Sequence, residues 1–114
     1  MSPAKFREEC EQFKGDMASC ILNIKRLSMI YHFKLNIVVL DNGHDEFYPL
    51  KPMFEKENIA FLFFKDYIEN KLHIKPEEMK KNYYWAIDMH YNSKGYNLLA
   101  DGIAWKLKET GTIK

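Results

Sequence analysis

The segment LNIVVL, residues 35–40, is an almost uninterrupted apolar run that is rich in β-branched side chains. A second apolar run, IAFLF at residues 59–63, follows a turn-rich and acidic stretch that begins with DNGHDE at residues 41–46. Runs of this length and composition are typical of strands buried on both faces of a parallel sheet. The two segments therefore predict an α/β fold in which helices connect parallel strands.

Helical patterns occupy much of the remaining chain. From Pro3 to about His32, apolar residues recur at alternating spacings of four and three, which predicts one long helix. The shorter segments with helical character are 49–58, 65–72 and 75–81. Residues 83–87 are predicted to be extended. Two roles stay open for the long helix, which can pack on the sheet or form a helix–helix seam with another chain.

The number of strands is small for a sheet that stands alone. Stable sheets usually have about four to six strands, and two strands leave unpaired edges. Residues 1–114 are therefore predicted to form a single α/β domain of one of two kinds. Either the domain is half of a larger one, or it is completed by pairing with a second copy.

Composition and charge limit the classes of function. The chain has 114 residues, of which 46% are hydrophobic and 15% aromatic, and this is enough for a core. A formal net charge of +1 argues against nucleic-acid or membrane binding that rests on bulk charge. No apolar window approaches the ~18 residues of a membrane span, and no secretory signal precedes the first helix.

The two cysteines are Cys10 and Cys20. They would lie ~15 Å apart along one helix, because each residue of a helix rises 1.5 Å. That separation is too long for a disulfide. Reduced cysteines that pack inside the fold are the main expectation, and an intermolecular disulfide is the alternative.

The segment WAIDMHYNSKGY, residues 85–96, carries the chemistry. It places Asp88 and His90 two residues apart, directly before a predicted helix. A carboxylate beside an imidazole can hold the ring tautomer while the ring accepts a proton from a nucleophile. Asn92 or Ser93 is expected to cap the helix. The apolar face predicted for this helix consists of Tyr96, Leu99, Ala100, Ile103 and Leu107.

This segment resembles the last sequence block of the SGNH (GDSL) hydrolases, in which Asp, His, a Pro-Asn-like pair and Gly precede an amphipathic final helix. The matching residues here are Asp88, His90, Asn92, Gly95, Leu98, Leu99 and Ala100. The order of helix, strand, acidic aromatic loop and strand that precedes the block is also similar. The resemblance implies the C-terminal half of a flavodoxin-like parallel sheet with flanking helices. It also implies a serine ester hydrolase that acts on acetylated carbohydrates or lipid esters without a cofactor.

The chain departs from the family pattern at several positions. Many members space the pair as Asp-x-x-His, and here Tyr91 and Tyr96 stand where Pro and a second His are common. The Gly-Asp-Ser block that carries the nucleophile has no counterpart, because residues 15–17 read Gly-Asp-Met inside a helical pattern. The serines, Ser2, Ser19, Ser28 and Ser93, lack the context of a nucleophile elbow. His90 and Asp88 are thus expected to serve a serine that lies outside this chain.

The remaining site predictions concern substrate, metal and structure. In the hydrolase interpretation, Asn42, His44, Tyr48 and Trp85 border the substrate pocket, although the aromatic residues 83–85 can equally be core. Asn92 and Gly95 are expected to be structural. The acidic turn at 41–46 is not predicted to bind a metal, because four ligands in one flexible turn rarely converge. His32 and His73, at the ends of helical patterns, are expected on the surface.

A different class of function stays open beside the esterase hypothesis. In it, the chain is a non-catalytic module that self-associates or binds another protein through the long helix and the exposed strand edges. The partners predicted in the esterase interpretation are an ester substrate of the full-length protein and either a second copy of the chain or a missing N-terminal half.

Overall fold

The computed structural model describes residues 2–88 and 90–114, except for the side chain of Cys10. It is mostly helical, at 68%, with a two-stranded parallel sheet. The predicted mixed α/β class is therefore confirmed. Both predicted strands are also confirmed, because the sheet is formed from the apolar runs at 35–40 and 59–63.

The helices and strands follow one another in the order expected for a parallel pair with helical connections. They are α1 (Pro3–Tyr31), β1 (Asn36–Val39), α2 (His44–Phe47), α3 (Lys51–Lys56), β2 (Ala60–Phe63), α4 (Phe64–Asp66), a π-helical segment (Tyr67–Lys71), α5 (Pro76–Asn82) and α6 (Ser93–Glu109). Short 3₁₀ turns occur at Asp41–Gly43 and Tyr48–Leu50. The crossover from β1 to β2 is long enough to hold α2 and α3, as a parallel pairing requires.

Helix α1 begins and ends where the sequence predicts. The Ser2 hydroxyl accepts a hydrogen bond from the Lys5 backbone N–H at 3.1 Å, and Pro3 occupies the first turn. At the other end His32 adopts a left-handed conformation, with φ of 59°, and its N–H binds the Ser28 carbonyl. His32 and His73 are both exposed, as expected.

The contacts of the chain group into two compact units. The first unit holds the chain through Ile37 and again from Asp45 to Ala60. The second unit comprises Val38–His44 and Phe61–Lys114, and it therefore holds the carboxyl ends of both strands. The prediction of one domain over the whole chain stays a prediction.

In the first unit, α1 presents many large apolar side chains to solvent. Its exposed members are Phe6, Phe13, Leu22, Ile24, Leu27, Met29, Ile30 and Tyr31. Met29 is 66% exposed and Tyr31 is 71% exposed. The buried residues of α1 in the described part are Ile21 and Ser28. The periodic apolar pattern therefore predicted the helix correctly. It did not predict that most of the apolar side chains are exposed.

In the second unit, a cluster of buried side chains forms the core. Its members are Leu62, Phe64, Tyr67, Ile68, Met79 and Tyr91. The Trp105 ring lies against Tyr67 with the ring centroids 5.5 Å apart, and the Lys71 ammonium lies 4.7 Å from the indole centroid. This core comes from the strand ends, the helical segments after β2 and α6, and it supports the candidate site.

Helix α6 packs on the core both through part of its predicted apolar face, Leu99 and Ile103, and through two buried glycines. A Cβ atom on Gly102 would lie 3.0 Å from the Tyr67 ring, so the helix approaches that ring closely. Tyr96 is 58% exposed and Ala100 is also exposed, so the predicted inclusion of these two residues in the buried face is wrong. The prediction is confirmed for Leu99 and Ile103, which pack against the core, and Leu107 is half-buried.

The strands are less buried than a fully covered parallel sheet would require. Asn36, Ile37 and Val38 are half-buried, while Val39, Leu62 and Phe63 are buried. The predicted burial of β1 on both faces is therefore wrong for most of the strand. Burial on both faces requires a packed layer on each side of the sheet, and Asn36, Ile37 and Val38 are covered only in part.

Cys20 is free and exposed, so its predicted packing inside the fold is wrong. The side chain of Cys10 lies outside the described part of the structure, and the corresponding prediction for it stays open. The exposed thiol follows from the orientation of α1, which leaves much of this helix in contact with solvent.

No helix in the described residues is both long and apolar enough to cross a membrane. The same residues contain no group of three or more His, Cys, Asp or Glu side chains that could hold a metal ion.

Candidate active site

The candidate site lies on a short hairpin in the second unit. Tyr84 and Tyr91 form an antiparallel bridge, and the Trp85 N–H donates to the His90 carbonyl at 2.8 Å. At the base, the Asn92 N–H donates to the Tyr83 carbonyl at 2.9 Å. Tyr83 has an αR conformation at the end of α5 and residues 86–88 form a turn, so the predicted extended conformation of 83–87 is wrong for most of the segment and holds at the bridge residue Tyr84. The hairpin places the Asp-x-His pair at its tip.

Asp88 and His90 face each other at this tip. The Asp88 Oδ2 atom lies 3.1 Å from Nδ1 of His90, and Oδ1 accepts a hydrogen bond from the His90 backbone N–H, also at 3.1 Å. Both carboxylate oxygens therefore contact the same histidine. Because a carboxylate only accepts hydrogen bonds, Nδ1 carries the proton and Nε2 is the nitrogen that can act as a base.

The pair is open to solvent, and its electrostatics reflect this. The side chains of His90 and Asp88 are 76% and 51% exposed. The His90 backbone N–H lowers the pKa of Asp88, and the side chain of His90 lowers it further through its hydrogen bond and charge. Asp88 is therefore ionised at neutral pH and is ready to orient the imidazole.

A small cavity of about 130 Å³ lies beside His90. Its other lining residues are Leu40, Asp41, Asn42, Tyr84, Tyr91, Tyr96 and Leu99. It brings together the end of β1, the hairpin and the first turns of α6. These residues combine an imidazole, a carboxylate, an amide and aromatic rings, which suits a small polar ligand. The described residues that line it include no serine.

Asp41 is the central polar group of this cavity wall. Its Oδ2 atom accepts a hydrogen bond from the Tyr84 hydroxyl, and its Oδ1 atom accepts one from the Tyr91 hydroxyl. The two phenol rings are stacked, with their centroids 5.2 Å apart. One carboxylate thus joins both sides of the hairpin to the turn that follows β1.

Burial is the main reason that the pKa values of Tyr84 and Tyr91 lie well above the ordinary 10.0, and the hydrogen bonds to Asp41 and its negative charge add to the effect. Both groups are therefore protonated donors across the neutral range. Tyr67 also has a raised pKa, because it is desolvated and lies near the charge of Asp101.

The residues predicted to bind substrate do not all meet at this cavity. Asn42 lines it, as does His90. His44 lies elsewhere in the second unit, where its Nε2 atom is 3.2 Å from Asp66 Oδ1 and its ring packs on Phe63. Trp85 is 58% exposed on the hairpin, and its backbone rather than its ring contacts His90.

Tyr48 belongs to the first unit, where the Lys51 ammonium lies 5.3 Å from the centroid of its ring.

The two residues predicted to be structural, Asn92 and Gly95, lie at the start of α6. Asn92 Oδ1 accepts a hydrogen bond from the Gly95 N–H at 3.0 Å, which caps the helix. A Cβ atom on Gly95 would lie 2.3 Å from the Tyr83 carbonyl oxygen, so glycine is required for the close approach of α6 to the hairpin.

Each serine of the chain caps a helix or lies within one. Ser2 caps α1, and the buried Ser28 hydroxyl donates to the Lys25 carbonyl at 2.6 Å. Ser19 is an exposed residue of α1, and Ser93 is the first residue of α6. The Gly-Asp-Met sequence at 15–17 lies within α1, so it does not follow a strand as a nucleophile block would.

Sequence reasoning missed the part played by Tyr84 and Tyr91. The only pattern in the sequence is a pair of tyrosines that flank a short turn. This pattern indicates a hydrogen-bonded cluster only when Asp41 is known to contact both hydroxyls. Asp41 and Tyr91 are 50 positions apart in the chain, so no local pattern connects them.

Comparisons with protein-family models, curated proteins and solved structures gave no match to this chain. The candidate site is therefore defined by its geometry.

Proposed function

We propose that this chain carries the base-and-orienter half of a serine ester hydrolase of the SGNH type. The observation that carries the proposal is the contact of both Asp88 carboxylate oxygens with His90, which leaves Nε2 as the basic nitrogen. The two-stranded parallel sheet would be part of a larger flavodoxin-like sheet, with the hairpin beyond the carboxyl ends of its strands.

In this proposal the nucleophile is a serine on a segment outside this sequence. His90 Nε2 accepts the serine proton while the serine oxygen attacks the ester carbonyl, and the imidazolium then protonates the leaving alcohol. Asp88 holds the ring orientation and stabilises the imidazolium. Water repeats the same steps on the acyl-enzyme, which releases the acid and regenerates the serine.

The surroundings of the pair favour a site that another segment covers. Ile87, at the tip of the hairpin, is 97% exposed, and Trp85 and Tyr96 are more than half exposed. An exposed ion pair is weakened by water, and a covering segment would strengthen it by lowering the local dielectric constant. The cavity beside His90 then provides a place for the acyl or alcohol part of a small ester.

The test uses the reading frame that contains this sequence, with any upstream segment that it encodes. The full protein should hydrolyse p-nitrophenyl acetate and react with a fluorophosphonate probe at a serine. His90→Ala should abolish both reactions, and Asp88→Asn should weaken them by about 10⁴-fold in kcat, the loss seen when a triad carboxylate becomes an amide. His73→Ala is the matched control, because His73 is exposed and far from the hairpin in sequence.

The 114-residue chain by itself should show negligible hydrolysis. Hydrolysis by this chain that disappears in His90→Ala would contradict the assignment of the nucleophile to another segment. A full reading frame without a probe-reactive serine, or one whose labelling survives His90→Ala, would contradict the esterase proposal as a whole.

A second candidate function is a self-associating or protein-binding module, and one observation favours it. Phe6, Met29, Ile30 and Tyr31 of α1 are each more than half exposed, which is unusual for such large apolar side chains on one helix. Light scattering should then report a dimer that Met29→Glu with Ile30→Glu dissociates. A monomer at high concentration would contradict self-association.

A further inference from the structure

The hairpin that carries the Asp88–His90 pair has a packed base and an exposed tip. Its base is defined by the bridge between Tyr84 and Tyr91, and its two sides are joined above this by the Trp85–His90 backbone hydrogen bond. Asp88 and His90 at the tip are exposed, whereas Tyr91 is only 8% exposed. The transition from a packed base to a solvated tip therefore occurs between Tyr91 and His90, which are neighbours in the chain.

Asp41 contacts both sides of this base. The Tyr84 hydroxyl donates to one carboxylate oxygen and the Tyr91 hydroxyl donates to the other. Asp41 itself is fixed in the 3₁₀ turn that directly follows β1. A single side chain therefore connects both strands of the hairpin base to the turn that follows β1.

The anchor reaches His90 through the main chain. Tyr91 is covalently attached to His90, and Tyr84 precedes Trp85, whose N–H binds the His90 carbonyl. Movement of either phenol would therefore move the backbone of His90. Asp88 binds that same backbone through the His90 N–H, so the geometry of the pair depends on it.

We infer that Asp41 is a positioning residue for the His90–Asp88 pair. It keeps the His90 ring oriented toward the Asp88 carboxylate by binding the hydroxyls of Tyr84 and Tyr91. The consequence for catalysis rests on the proposed esterase function. The positioning itself does not, because it concerns only the orientation of an imidazole beside a carboxylate.

Burial favours this arrangement over a chance surface contact. Tyr91 belongs to the core cluster of the second unit, and Tyr84 packs against that cluster. Buried hydroxyl groups need hydrogen-bond partners, and the carboxylate provides one oxygen for each. An asparagine at position 41 has one acceptor oxygen, so the second tyrosine hydroxyl would have to accept from the amide instead of donating to it.

The test measures the tautomer of His90 in the 114-residue chain labelled with ¹⁵N-histidine. In the parent, neutral His90 should populate mainly the Nδ1–H form, because Asp88 accepts that proton. Asp41→Ala should reduce the ratio of Nδ1–H to Nε2–H several-fold. Tyr84→Phe and Tyr91→Phe should each give part of that change, and neither should add to it in the Asp41→Ala background.

Asp66→Asn is the matched control, because Asp66 is also a partly exposed carboxylate of the second unit that contacts a ring nitrogen but not the hairpin. It should leave the His90 tautomer ratio unchanged. The phenylalanine variants keep the packing of the rings, so they test the hydroxyls even if Asp41→Ala does not fold.

Two results would overturn the inference. One is an unchanged tautomer ratio in both phenylalanine variants, which would leave Asp41 with a purely stabilising role. The other is an equal change in Asp66→Asn, which would make the effect non-specific. In the full reading frame, a normal tautomer response without any esterase activity would instead contradict the proposed function and leave the positioning of His90 intact.

Discussion

The base and the tip of the same hairpin, only a few residues apart, have opposite environments. At the base, Tyr91 is buried and its hydroxyl binds Asp41, while the neighbouring backbone is in close contact with α6. At the tip, Asp88 and His90 pair with each other in solvent. Each region contains one carboxylate that accepts two hydrogen bonds, so the difference lies in burial rather than in bonding.

Because of this difference in burial, the base of the hairpin contributes to the stability of the fold, whereas the tip carries the candidate reactive pair. A buried hydroxyl that loses its partner is costly, whereas an exposed ion pair contributes little to the free energy of unfolding. The contacts at the base can therefore stabilise the hairpin. The paired geometry of Asp88 and His90 at the tip has little effect on the free energy of unfolding. Substitutions in the two regions should have contrasting effects on stability and on the state of His90.

The largest effect should come from Gly95→Ala at the base. The new methyl group would lie 2.3 Å from the Tyr83 carbonyl oxygen, which already accepts the Asn92 N–H, so the backbone must shift. We expect a loss of about 3 kcal/mol in the free energy of unfolding, measured by urea denaturation. Gly15→Ala is the matched control: no atom lies within 4 Å of its Cβ, and it should stabilise the chain by up to about 1 kcal/mol. Equal effects would contradict the close packing of α6.

A smaller loss should follow removal of the Asp41 carboxylate. Asp41→Ala leaves the hydroxyls of Tyr84 and Tyr91 without their acceptor, which should cost about 1–3 kcal/mol in urea unfolding. Replacing both tyrosines by phenylalanine in the same background should recover part of this loss, because no unpaired hydroxyl is then buried. If the loss is additive instead, the three groups do not act as one cluster.

The same cluster predicts a dependence on alkaline pH. The pKa values of Tyr84 and Tyr91 are raised in the fold above the unfolded value of 10.0. Their contribution is therefore complete below pH 10.0 and is lost as the pH rises through the higher folded values. Urea unfolding from about pH 9 to about pH 11 should show a steeper fall in the parent than in the double phenylalanine variant. Parallel curves would mean that both hydroxyls ionise as freely in the fold as in the unfolded chain.

The smallest effect on stability should come from the tip. Asp88→Asn should leave the midpoint of urea unfolding at neutral pH nearly unchanged, because the pair is exposed. The pKa of Asp88 is lowered in the fold, so any contribution it makes is present above its ordinary 3.8 and is lost as the pH falls below that value. The ring tautomer of His90 should nevertheless change. A large loss of stability would show that the tip, like the base, supports the fold.

Local patterns in the sequence predicted the elements well. The β-branched runs gave both strands, the four-three spacing gave α1 from Pro3, and an asparagine before an amphipathic stretch gave the cap of α6. Each of these depends on residues that are close in the chain. The proximity of Asp88 and His90 was predictable for the same reason, since they are only two positions apart in the chain.

Features that depend on residues far apart in the chain could not be predicted from local sequence patterns. The burial of Gly102 in α6 depends on its close approach to Tyr67, a residue far away in the chain, so the apolar pattern of the helix did not indicate it. The exposure of α1 depends on how much of the rest of the chain covers it. The Asp41 cluster joins segments more than 40 positions apart, so only the folded structure brings them together.

The two tryptophans provide separate optical reporters of these regions. Trp85 lies on the exposed hairpin, whereas Trp105 lies against Tyr67 and the Lys71 ammonium in the second unit. In a Trp105→Phe chain, all indole emission would come from the hairpin, and its quenching by iodide would register any molecule that shields the tip. A Trp85→Phe chain would in turn emit only from the second unit. The protein can thus report binding and unfolding in two distinct signals without an added dye.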